Sequence, residues 1–129
     1  MKTASRSILL LGSLASLILS GLAATQSQAK PGAAKKDVPY AKIEPLINSK
    51  CMSCHNAKKH PEAINLSSYQ ALMKSGQHGP IVIAGHPEKS KLIMYVDGEK
   101  QPRMPYRKAP LKATEIALLK QWISAGAKK

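Results

Sequence analysis

The stretch Cys51-Met52-Ser53-Cys54-His55 decides how the rest of the chain is read. Two thiols separated by two residues stand one short turn apart, and an imidazole follows at once. That spacing is the attachment signature of a c-type haem: each thiol adds to one vinyl group of the porphyrin, and the next residue offers a nitrogen to the iron. The chain has 2 cysteines, both in this pentapeptide. One covalently attached haem c is therefore expected, with Cys51 and Cys54 as thioether anchors and His55 as the proximal axial ligand.

Attachment of this kind takes place on reduced thiols outside the bacterial cytoplasm, and the N-terminus reads as an export signal. Lys2 and Arg6 make a basic start. Ile8 to Leu22 form an apolar run, interrupted by Gly12, Ser13 and Ser16, that is short for a transmembrane helix. Small residues at Ser27 and Ala29 place cleavage after Ala29, with Ala23 as the alternative site and an uncleaved anchor as the other outcome. No cysteine directly follows the apolar run, which removes a lipoprotein. The expected organisation is a signal peptide over 1–29, a flexible basic leader over 30–39 containing Pro31, Gly32 and Lys35-Lys36, and one folded domain over 40–129 in the periplasm.

The chain left after cleavage is about one small domain long. The sequence has no Phe, one Trp and 43% apolar residues, so its core is modest. Domains of this size often complete their interior with a metal or cofactor, and a porphyrin would supply the missing aromatic mass. Charge is strongly positive, 20 Lys and Arg against 7 Asp and Glu, or +13. Removing Lys2 and Arg6 leaves 18 against 7, or +11. In a cytoplasmic protein this balance would suggest nucleic acid; with an export signal it points to steering toward an acidic redox protein, a membrane oxidase or reductase, or weak association with an anionic membrane surface. Most individual lysines read as solvated surface.

Apolar periodicity predicts short helices. Ile43, Leu46 and Ile47 fall at helical spacing over 42–50, with Pro45 tolerated in the first turn, and the stripe runs on into Cys51 and Cys54. Residues 56–62 are polar and basic, a surface loop. Ser67 is the expected N-cap of a helix carrying Tyr69, Leu72 and Met73 and closed by Gly76. Ile81-Val82-Ile83 is expected to be extended and buried. A third helix carries Leu92, Ile93 and Val96 between Pro87 and Asp97-Gly98. Residues 99–110 hold Pro102, Pro105 and Pro110 and admit no regular element. Ile116, Leu119, Trp122 and Ile123 make one face of the last helix, stopped by Gly126. No repeat and no second domain is evident, and the fold class is all-α.

A six-coordinate haem needs a second axial ligand, and methionine suits electron transfer because its soft thioether stabilises the ferrous state. Met52 lies between the anchors and is geometrically excluded. Met73 and Met94 belong to apolar helical patterns and read as core. Met104 stands in a proline-flanked loop far along the chain, where it can reach the other face, and is the expected distal ligand. His60, His78 and His86 are the alternatives, each more naturally a solvated side chain. The carbonyl that accepts the Nδ1 proton of His55 is expected at Pro61 or Pro80. Trp122 reads as core or haem-packing mass, with its indole able to reach a propionate.

These residues carry a resemblance. Cys51 to His55, the late Met104-Pro105 and the closing Trp122-Ile123-Ser124-Ala125-Gly126-Ala127 resemble a class I c-type cytochrome, and more narrowly the planctomycete-type cytochrome c domain. Leu66 through Gly85 and Ser90 to Leu92 follow the same pattern, so the likeness spans nearly all of Ile43 to Ala127. It implies three to five helices around one haem, with the first and last helices crossing. It implies Cys51 and Cys54 as anchors and His55 and Met104 as axial ligands. Members often have a glycine pair where this chain has Ser75-Gly76, and a second proline where it has Tyr106, which leaves the shape of the first loop and the packing beside Met104 to be determined.

The function expected is that of a soluble, monomeric, monohaem carrier moving one electron at a time between periplasmic or membrane redox partners, with no catalytic residues and no enzymatic activity of its own. Lys58, Lys59, Arg103, Arg107 and Lys108 are the expected steering cations. The runner-up is a haem-bearing subunit of a larger dehydrogenase or peroxidase complex. A haem sensor or ligand-binding module would require that Met104 not ligate. A thioredoxin-like pair at Cys51 and Cys54 fits poorly with a chain offering few strands. Zinc would need His55 and His60 at a spacing awkward for a tetrahedron.

Overall fold

A computed structural model describes residues 37–129; the expected signal peptide and its cleavage site, with most of the leader, lie outside them. Among the described residues there are four α-helices and three short 3-10 turns, with no strand. The helices are α1 (Glu44–Lys50), α2 (Tyr69–Lys74), α3 (Lys91–Val96) and α4 (Ala113–Ser124), and the 3-10 turns cover Tyr40–Lys42, Pro61–Ala63 and Pro87–Lys89. The all-α class holds, and no helix among the described residues is long and apolar enough to cross a membrane.

Each helix is too short to be stable by itself, so its apolar stripe must find a common interior. Ile43, Leu46 and Ile47 from the first segment meet Leu72 of α2, Ile93 and Val96 of α3, and Leu119, Trp122 and Ile123 of α4 in one core. Val38 already belongs to it, so the packed chain starts two residues ahead of Tyr40. Tyr40 stacks edge-on against Tyr69 with ring centroids 5.4 Å apart and lies 5.9 Å from Trp122. α4 packs on α3 and on the turn that leads into it. Glu115 ties the start of α4 to the end of α1: one oxygen accepts the Lys112 N–H at 2.7 Å, while the other lies 3.7 Å from Lys50 Nζ.

Hydroxyl groups shape the connections. The cap of α2 is Ser68, whose Oγ accepts the Ala71 N–H at 3.1 Å, and not the expected Ser67, whose own N–H is taken by Asn65 Oδ1. Ser75 follows directly on α2 as its C-cap. Its buried Oγ accepts the Asn65 N–H at 2.9 Å and lies 2.7 and 2.8 Å from the carbonyls of Asn65 and Ala71. Gly76 follows at φ +118°, and a Cβ there would collide with the carbonyl oxygen of Gly79. Ser90, fully buried, accepts the Ile83 N–H at 2.9 Å and donates to the His86 carbonyl at 2.9 Å. It closes the loop before α3 rather than capping that helix.

Candidate haem site

The pentapeptide is placed by the end of α1. The N–H groups of Cys51 and Met52 both reach the Ile47 carbonyl, at 2.9 and 3.2 Å, and those of Cys54 and His55 turn back to the Cys51 carbonyl at 3.1 and 3.0 Å. The two cysteines therefore follow one another around a continuous hydrogen-bonded turn. Asn56, which sequence reasoning passed over as loop, holds the far side. Its amide donates to the Met52 carbonyl at 2.9 Å, and its side-chain oxygen accepts the N–H groups of Lys58 and Lys59 at 3.0 and 2.9 Å.

His55 is oriented by the Ile64 carbonyl, 3.1 Å from its Nδ1, and by neither Pro61 nor Pro80. A carbonyl only accepts, so Nδ1 carries the proton and Nε2 keeps its lone pair, the arrangement a metal-ligating imidazole requires. The backbone return that makes this contact is fixed by the Leu66 N–H donating to the His55 carbonyl at 2.9 Å.

Met104 reaches the same place from the other end of the chain. The last carbonyls of a helix have no partner within it. At the end of α3, the Met94 carbonyl accepts the Lys100 N–H at 2.9 Å and the Tyr95 carbonyl accepts the Met104 N–H at 2.8 Å. The irregular, proline-rich loop is thus hung on α3 by its backbone.

Two adjoining clefts, of about 410 and 430 Å³, lie between these elements, and Cys51, His55, Val96 and Met104 line both. Cys54, Lys59, Tyr106 and Lys108 line the first only, while Ile64, Leu66, Ile81 and Leu92 make the second largely apolar. Volumes of this order suit a sizeable ligand. Two thiols, a histidine with a free Nε2 and a thioether facing one mostly apolar cleft fit a covalently held haem by the chemistry of the donor set.

The alternatives to haem fit less well. Burial pushes the Cys51 thiol up to about 11, whereas redox-active thiol pairs rely on a lowered thiol pKa. Among the described residues no three His, Cys, Asp or Glu side chains converge as a metal site would need. His60 and His86 are exposed and line neither cleft; His78 sits at the rim of the second. Trp122 is fully buried and its indole N–H donates to the Lys128 carbonyl at 2.8 Å, so it serves the C-terminal tail and not a propionate. Of the expected steering cations, Lys59 and Lys108 line the first cleft. Arg107 lies 5.2 Å over the ring of Tyr106, which among the described residues is the large hydrophobic side chain exposed to solvent, at 55%. Arg103 is half-buried and lines neither cleft.

A small all-α domain whose cleft gathers a Cys-x-x-Cys-His turn and a methionine is consistent with the cytochrome c type. Residues 51–106 match the family described as Planctomycete cytochrome C, which supports a cytochrome c-type domain and, with it, haem c and haem-based electron transfer. No curated protein and no solved structure matches the chain.

Proposed function

We propose that this protein is a monohaem electron carrier, exported to the periplasm, that exchanges single electrons with larger redox partners and performs no bond chemistry of its own. The observation that carries the reading is the Nδ1 contact of His55 with the Ile64 carbonyl, which leaves Nε2 as the free nitrogen in a cleft shared with Cys51 and Met104. Cys51 and Cys54 would hold the haem by thioethers, and His55 and Met104 would ligate its iron. When bound, the haem supplies a reversible one-electron couple whose potential depends on axial ligands, burial and hydrogen bonding.

The chain's own residues have the remaining work. The loop fixed by Asn56 and the Ile64 carbonyl keeps the imidazole in one tautomer and orientation. The backbone bonds to α3 hold the Met104 segment in place. Ile64, Leu66, Ile81 and Leu92 give the second cleft an apolar wall. The first cleft opens beside Tyr106, Lys59 and Lys108, a cationic edge suited to an acidic partner.

The test is denaturing electrophoresis of protein exported by a host with a haem-attachment system. Haem colour and the mass of one haem should stay with the chain and be lost in a Cys51→Ala/Cys54→Ala variant. A chain exported with both thiols free under those conditions would overturn the reading.

A further inference from the structure

Thioether attachment fixes which edge of a porphyrin goes where, because the vinyl groups and the two propionates occupy opposite edges of the macrocycle. Cys54 lines only the first of the two clefts. Cys51 lines both, so the part of the second cleft away from Cys51 is the space left for the edge opposite the thioethers. That cleft is apolar along Ile64, Leu66, Ile81 and Leu92, yet it is also lined by two cations, Lys91 and Lys100. Neither has an acidic partner among the described residues, whose ion pairs are Lys50–Glu115, His86–Glu88, Lys120–Asp97 and Lys128–Asp37.

Both cations are placed by backbone. Lys91 opens α3, and its Nζ donates to the His78 carbonyl at 2.7 Å, which fixes the ammonium across the loop at the rim of the cleft. The Lys100 N–H is bound to the Met94 carbonyl, four residues before Met104. One acid, Glu62, also lines the cleft, in the turn between His60 and Ile64 that leads to the carbonyl behind His55. An apolar slot with two unpaired cations matches a planar apolar ligand that ends in two carboxylates.

We propose that Lys91 and Lys100 form the carboxylate-binding end of the cleft and receive the two haem propionates. This rests on the haem reading above and assigns the cations of the first cleft, Lys59 and Lys108, to the opposite, partner-facing edge. Lys91 and Lys100 are positioning residues: they set how the macrocycle lies between His55 and Met104 and neutralise its carboxylates.

Resonance Raman spectra of the exported holoprotein test this through the propionate bending bands. The bands should shift in Lys91→Gln and Lys100→Gln, return in the corresponding Arg variants, and stay unmoved in Lys59→Gln and Lys108→Gln. Bands that move only with Lys59 or Lys108, or with none of the four, in protein that retains covalent haem would overturn the assignment while leaving the haem reading intact. Absence of covalent haem from the wild type would overturn both. Should the Gln variants fail to accumulate, amine acylation of the wild-type holoprotein reads the same contact. Lys100 should react about two- to fivefold more slowly than Lys112, which is likewise exposed but lines neither cleft, the range a surface ion pair supports, and equal rates would contradict the proposal.

Discussion

Cys51 and Cys54 stand three residues apart and meet different surroundings: the first is half-buried against the core, the second exposed. In the haem-free chain an alkylating agent at pH 8 should modify Cys54 ahead of Cys51. Burial lifts Cys51 from 9.0 to about 11, so its thiolate, the reactive form, accumulates only as the pH approaches that value. Equal rates at pH 8, followed by mass spectrometry of the two thiols, would contradict this. Ser75 carries a second expectation. Removing its hydroxyl strands the Asn65 N–H and the one carbonyl, of Asn65 or Ala71, that its proton serves, so Ser75→Ala should cost about 1–3 kcal/mol in denaturant unfolding of the holoprotein. Ser67→Ala should stay within roughly 0.5 kcal/mol, as surface changes do. That Cys51, Cys54, His55 and Met104 would gather at one cleft was legible because the chemistry expected of them restricts which residues can serve. The carbonyl behind His55 was not, because every residue has a carbonyl and only the path of the chain selects Ile64.

Among the elements, the four helices were readable from their apolar stripes, and the stripe through Ile43, Leu46 and Ile47 correctly led into Cys51. What periodicity does not carry is which of several serines meets a backbone donor. Ser67 and Ser68 are chemically equal, and the turn at Asn65 diverts the first, leaving the second to cap α2. Ser68→Ala should therefore destabilise by about 1 kcal/mol. The loop after α2 tests geometry more severely: Gly76→Ala must both adopt φ +118° and displace the Gly79 carbonyl. A loss of about 2 kcal/mol or more is expected. Gly79→Ala, at φ +89° with nothing within 4 Å of the added carbon, should lose less. Comparable midpoints for the two variants would mean the loop has freedom the backbone contacts deny. The loop bearing Met104 was legible as irregular from its prolines, whereas its suspension from the Met94 and Tyr95 carbonyls depends on where α3 ends.

For the molecule as a whole, the excess of cations, +13 over the full sequence, predicts fast, salt-sensitive association with an acidic partner. The rate should fall roughly tenfold or more between low and physiological ionic strength. Lys59→Glu and Lys108→Glu should depress it, with the haem spectrum unchanged. Stopped-flow electron transfer across a salt series would show this, and a flat profile would remove steering from the account. In the proposed reading His55 and Met104, from distant parts of the chain, would both ligate one haem. The absorption spectrum of the oxidised, exported protein addresses this ligation most directly through the sulfur-to-iron charge-transfer band. The band should be present in the wild type, survive in Met73→Leu and Met94→Leu, and vanish in Met104→Ala; its absence from the wild type, or its persistence without Met104, would contradict the account.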